Sequence, residues 1–116
     1  MKPTKKSLTH KLDRECSRII RSQGSCLRCG NTTYSLLQCC HIFSRANRAV
    51  RWDLKNLLCL CAGCHFWAHQ NPTLFGDFVK EWLGAEYVQL KSRAGAIKKW
   101  TLNEMQELLK NLEEVV

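Results

Sequence analysis

Long apolar runs are missing from this 116-residue chain, and acidic side chains are scarce over its first two-thirds. No stretch of about 18 apolar residues occurs, which excludes a membrane-spanning helix. The N-terminal MKPTKKSLTHKLDRE is basic with no apolar stretch behind it, so no signal peptide is expected. Internal repeats and low-complexity tracts are absent too. What remains, 45% hydrophobic and 24% charged residues, fits one soluble, globular domain spanning 1–116. A domain this small has a modest core and often leans on a metal or a crosslink.

The shortage of acids makes the charge lopsided. Residues 1–28 carry eight Lys/Arg against two acids, residues 29–72 four against one, and residues 73–116 six against seven. The net charge of +8 therefore sits ahead of the last third. Nucleic acid or an anionic membrane surface suits such a field, and a plainly solvated basic face is the alternative.

Eight cysteines need a reason. Four disulfides in a secreted scaffold would account for them, but no secretion signal supports that. Spacing favours a metal. Cys26-Leu-Arg-Cys29 and Cys61-Ala-Gly-Cys64 are two C-x2-C knuckles, and together they offer four thiolates in the tetrahedral set that suits structural Zn²⁺. Gly30 and Gly63 help the chain turn there. Cys16, Cys39, Cys40 and Cys59 are left, mostly as small buried hydrophobes.

Leu12, Cys16, Ile19 and Ile20 predict a basic amphipathic helix over about 9–22, ended near Gly24, within a segment 1–25. Residues 32–43 read as one or two short strands, 44–55 as a polar loop, and 57–60 as a strand. A helix is expected over 62–70. Another follows from Pro72, with Asn71 as its cap and Gly84 closing it. Thr101-Leu-Asn-Glu104 has the form of a capping box opening a last helix. The C-terminal segment 71–116 is expected to pack the core or a partner, a second copy included.

His41, Asn56, His65 and His69 fall in one compact block. His65 and His69, four apart on the predicted helix, project from one face and can share an ion. Singly each has a dull explanation: a hydrogen-bonded structural histidine, a turn asparagine, or, for His65, a ligand replacing a knuckle cysteine. His10 is such a case and receives no role.

Jointly, in the run CCHIFSRANRAVRWDLKNLLCLCAGCHFWAH, they resemble the HNH endonuclease motif. Its first His matches His41, its Asn matches Asn56 and its last His matches His65. The intervals of 15 and 9 residues suit the motif, and the further His of many members matches His69. The HIFSR and RW segments look most like phage-borne members. The resemblance covers about residues 26–70 and implies an α+β fold: a zinc-stabilised ββα-metal (His-Me finger) core with flanking N- and C-terminal helices. It also implies knuckle cysteines binding zinc outside the active site.

The implied activity is metal-dependent hydrolysis of DNA. His41 would be the general base, Asn56 would fix the loop that orients it, and His65 and His69 would hold a divalent ion (Mg²⁺, Mn²⁺, Ni²⁺ or Zn²⁺). Arg45, Arg48 and Arg51 are DNA-binding candidates from the basic loop. Where the family usually has Asp or His before the base, this chain has Cys40, which either ligates the ion and favours a softer one or is a bystander. A phage-type member would work in the host cytoplasm, with a phage protein or a second copy as partner. The competing reading is a non-catalytic zinc-knuckle protein that binds nucleic acid as an accessory. Trp52, Trp67, Trp82 and Trp100 could stack bases, though core packing suits most of them.

Overall fold

The computed structural model describes residues 2–115. Helix α1 (Lys5–Arg21) is followed by a 3-10 turn at Tyr34–Leu36, β1 (Leu37–His41), a second 3-10 turn at Leu54–Asn56 and β2 (Leu57–Cys61). Then come α2 (Ala62–Gln70), α3 (Pro72–Leu83), α4 (Glu86–Ala94) and α5 (Leu102–Glu113). The described residues thus form a small α+β fold of five α-helices and one antiparallel hairpin. None of these helices is long and apolar enough to cross a membrane.

Helix α1 starts four residues earlier than its apolar spacing predicts. Thr4 and Ser7 cap it reciprocally: Thr4 Oγ1 accepts from the Ser7 N–H at 3.0 Å, and Ser7 Oγ from the Thr4 N–H at 3.1 Å. The serine does the work that Glu or Gln does in the usual capping box. Leu8, Leu12, Cys16 and Ile20 recur every four residues and are buried, packing with Met105, Leu109 and Leu112 of α5 in one core. At the end of this contact Arg18 donates to the carbonyls of Leu112 (3.2 Å) in the last turn of α5 and of Val115 (2.9 Å) just beyond it, tying the end of α5 to α1. The C-terminal segment therefore closes the core against the N-terminal helix.

The hairpin pairs Leu37 with Cys61, Cys39 with Cys59 and His41 with Leu57. All five residues of β2 are buried, because α1 packs against the hairpin and so does α2. A strand covered on both sides reads as a continuous apolar run rather than an alternating one, which explains LLCLC. Of the segment expected to be extended, residues 34–36 form a 3-10 turn instead and only 37–41 pair.

Pro72 opens α3 as expected, and Gly84 ends it at φ +57°. Asn71 does not cap α3 with its side chain. Its Nδ2 donates back to the Trp67 carbonyl at 3.0 Å, so the amide serves the end of α2 instead. Helix α4 has no counterpart in the sequence expectations. It lacks a side-chain cap and buries only Leu90, and it is tied to the 42–56 loop by ion pairs Arg93–Asp53 (2.8 Å) and Lys55–Glu86 (3.1 Å).

Candidate functional site

The Sγ atoms of Cys26, Cys29, Cys61 and Cys64 all lie within 4.8 Å of one another, and Cys29 Sγ is 3.6 Å from Cys61 Sγ. A tetrahedron with Zn–S bonds of about 2.3 Å has edges of about 3.8 Å, so the set fits zinc and not a disulfide. All eight cysteines are free. In each knuckle the second cysteine's N–H points at the first sulfur at 3.5 Å, Cys29 to Cys26 and Cys64 to Cys61. Gly30 takes φ +79° so that its N–H reaches the Cys26 carbonyl at 2.8 Å, a turn that a β-carbon would strain. The Leu27 N–H bonds the Cys59 carbonyl at 2.9 Å, docking the first knuckle on β2.

These four cysteines are placed to bind a structural zinc ion. Burial opposes ionisation of Cys26, but backbone N–H groups around it, those of Cys29, Cys61 and Arg28, pull its thiol down to about 6. Arg28 also sets its guanidinium 3.5 Å from Cys64 Sγ and 3.6 Å over the Trp67 ring, a cation beside the four-sulfur cluster. His65 is not part of this set, because its ring is engaged elsewhere.

Beyond the zinc knuckles, His41, Ser44, Arg45, His65 and His69 line one cleft of about 430 Å³ with Cys39. The loop between the strands is held by Asn56, which is fully buried. Its Oδ1 accepts from the Phe43 N–H (2.8 Å), and its Nδ2 donates to the carbonyls of Phe43 (3.0 Å) and Val50 (3.1 Å). His41 Nε2 sits 3.2 Å from the Arg51 carbonyl. A carbonyl only accepts, so Nε2 carries the proton and Nδ1 keeps a free lone pair. Burial lowers the His41 pKa below the usual histidine range, the Arg51 carbonyl pulls against that, and Arg45 lowers it further. A neutral imidazole at neutral pH results.

His65 and His69 stack with ring centroids 4.9 Å apart. His65 Nδ1 lies 2.7 Å from Gln38 Oε1, and since that oxygen only accepts, Nδ1 is the donor and Nε2 is left as a ligand atom. Fixing one ring nitrogen in this way is how proteins aim the other at an ion. Burial, then the neighbouring His69, lowers the His65 pKa and favours the neutral form.

Three sequence assignments change. Among the described residues the four knuckle cysteines are the one group of three or more Cys, His, Asp or Glu whose ligand atoms converge, so Cys40 does not complete a set with His65 and His69. Its side chain is in the core, 3% exposed, with Sγ 3.8 Å from the His41 carbonyl, and burial pushes its thiol up to about 12. Arg51 is not a free phosphate ligand. Its Nε and Nη2 bond Asp13 Oδ1 (3.0 Å) and Oδ2 (2.7 Å). Arg48 is exposed but lines neither this cleft nor its neighbour, and its carbonyl accepts from Trp100 Nε1 at 2.9 Å. Arg45 stays at the cleft.

Two side chains escaped the sequence reading. Gln38 gave no signal, since one glutamine in a short strand is unremarkable. Asp13 carried a faint one, as one of only two acids in a strongly basic N-terminal segment. It collects Arg51 and, through Oδ1, the Trp52 indole N–H at 2.8 Å. Of the tryptophans, Trp52 is buried edge-on to Trp100 (centroids 5.3 Å) and Trp67 is covered by Arg28, so packing uses these three, while Trp82 is exposed. Comparisons with protein-family models, with curated proteins and with solved structures gave no significant match.

Proposed function

We propose that the chain is a metal-dependent endonuclease of the HNH type, with a ββα-metal centre formed by β1, β2 and α2, and that it hydrolyses DNA phosphodiester bonds. The observation that carries this reading is the meeting of His41, Arg45, His65 and His69 on one cleft, with the His41 ring fixed by a backbone carbonyl and its loop stapled by Asn56. Packing alone has no use for four such side chains at one opening.

In this reading His41 Nδ1 takes the proton from a water attacking phosphorus. The lone pair is available because Nε2 is already committed as a donor, and the lowered pKa keeps the ring neutral at pH 7. Arg45, exposed at the rim, neutralises a non-bridging phosphate oxygen. His65 and His69 would hold a divalent ion, without Cys40. Such an ion offsets charge on the phosphate and stabilises the leaving oxygen. Asn56 acts on the loop and through it on His41.

The test incubates zinc-loaded protein with supercoiled plasmid and Mg²⁺, Mn²⁺, Ni²⁺ or Zn²⁺ in turn, with His41→Ala in parallel. Wild type nicks or linearises the plasmid, and His41→Ala loses on the order of 10²–10⁴ in rate while still binding DNA. DNA binding without cleavage under any metal would replace this reading with that of a zinc-knuckle module that binds nucleic acid without acting on it. Cleavage that survives His41→Ala would remove His41 from the mechanism.

A further inference from the structure

A second cleft, of about 450 Å³, shares His41, Arg45 and Cys39 with the first and continues from it towards α1. Its far wall is the polar side of that helix: Asp13, Arg14, Ser17 and Arg21. Arg21 is held on this wall from both sides. Its Nε donates to the Ser17 carbonyl (3.2 Å) and hydroxyl (3.0 Å), and its guanidinium lies 5.7 Å from the Tyr34 ring centroid, so the Nη groups remain to bind something else. Arg14 and Arg45 are exposed, and among the described residues neither has an acidic partner. The one carboxylate here, Asp13, is already paired with Arg51, and its Oδ1 also accepts the Trp52 N–H. The trough thus presents three guanidiniums with no free negative charge.

We infer that this trough is a binding site for the sugar-phosphate backbone of a DNA strand, with Arg14 and Arg21 gripping phosphates flanking the one that Arg45 brings to His41. The inference rests on the nuclease reading for the direction of the strand, but the binding it asserts needs no cleavage. Guanidinium is the cation matched to phosphate oxygens, since its planar fork gives two parallel hydrogen bonds. A row of three on one side of His41 would fix which bond lies at the base, a task that a diffuse positive field does not perform.

The experiment measures fluorescence anisotropy of a labelled DNA oligonucleotide on zinc-loaded, full-length His41→Ala protein, across a salt series. Arg14→Gln and Arg45→Gln are made singly and together, with Lys91→Gln and Lys110→Gln as controls of equal charge on α4 and α5. Both arginine positions are exposed, so the fold is undisturbed, and circular dichroism verifies it. Each trough variant should weaken binding several-fold and lower the salt slope by about one unit, while the controls stay within about twofold. Equal losses in trough and control variants, or none in either, would overturn the site in favour of diffuse attraction. Cleavage by the otherwise wild-type protein is scored separately. Trough-dependent binding without cleavage refutes the nuclease reading alone, and cleavage without trough dependence refutes this site alone.

Discussion

The ion pair between Asp13 and Arg51 joins α1 to the loop whose carbonyl holds His41, so breaking it should disturb stability and the placing of the His41 ring together. The side chains are 25% and 17% exposed, and three hydrogen bonds meet at the carboxylate. A hydrogen bond to a charged group contributes about 1.5–3 kcal/mol, and removing one member of a fully buried pair costs about 3–5 kcal/mol. For this partly covered pair Asp13→Asn should cost about 2–3 kcal/mol, a fall in Tm of roughly 8–12 °C for a chain of this size. Denaturant unfolding followed by tryptophan fluorescence, at fixed excess zinc, reads it. A double-mutant cycle with Arg51→Gln isolates the coupling. The pH dependence is specific. Burial raises the Asp13 pKa, but the hydrogen bonds from Arg51 and Trp52 outweigh it and hold the carboxyl below its usual range. A depressed folded-state pKa means the stabilisation is complete above the unfolded value of about 3.9 and is lost as pH falls through the folded one. The difference between wild type and Asp13→Asn should therefore be flat from pH 8 to 5. A coupling below about 0.5 kcal/mol, or a difference already shrinking between pH 7 and 5, would refute the argument.

Asn56→Ala strands the Phe43 N–H and carbonyl, while the Val50 carbonyl keeps the Asp53 N–H, and should destabilise by about 3 kcal/mol in thermal or denaturant unfolding, since each unsatisfied group costs about 1–3 kcal/mol. Gln38→Leu frees the His65 tautomer and should weaken divalent-ion binding at the histidine pair by about 10–100-fold in calorimetric titration, with the zinc content unchanged. Stripping the structural zinc with a chelator should unfold much of residues 26–70, because such sites supply on the order of 10 kcal/mol of folding free energy; circular dichroism unchanged after full chelation would count against the site.

What could be read from the sequence was whatever a short-range rule encodes. The two knuckles, the bounds of α2, the proline start of α3 and the capping box of α5 each depend on residues within a few positions of one another, and all four agree with the structure. Helix α4 stayed hidden because its order comes from Leu90 and two ion pairs to a distant loop, and no local cap announces it. Arg51 misled for a similar reason. Within its loop it looks solvated, and only a partner 38 residues away removes it from the phosphate-binding set. The bounds of α1 moved because Ser7 closed a cap whose usual signature carries Glu or Gln.

Helix α2 connects the cysteine knuckles to the histidine cleft, and its length shows what a zinc ion at the knuckles would supply. Nine residues are too few to hold a helix in water without outside support. Cys61 caps its N-terminus, with Sγ accepting the Cys64 N–H, and Cys64 lies inside the first turn. His65 is the next residue, and the Asn71 side chain closes the other end on Trp67. A zinc ion across Cys26, Cys29, Cys61 and Cys64 would anchor the first turn to the knuckle that is docked on β2, and a thiolate there also suits the positive end of the helix dipole. The rigidity that keeps His65 against Gln38 is thus supplied one residue away, by ligands that face the opposite task. On the other side of the hairpin Asp13 and Arg51 do the same for His41 with an ion pair in place of a metal. The cleft is assembled from an edge strand and a helix of about two and a half turns, and each depends on a connection outside the cleft for its geometry.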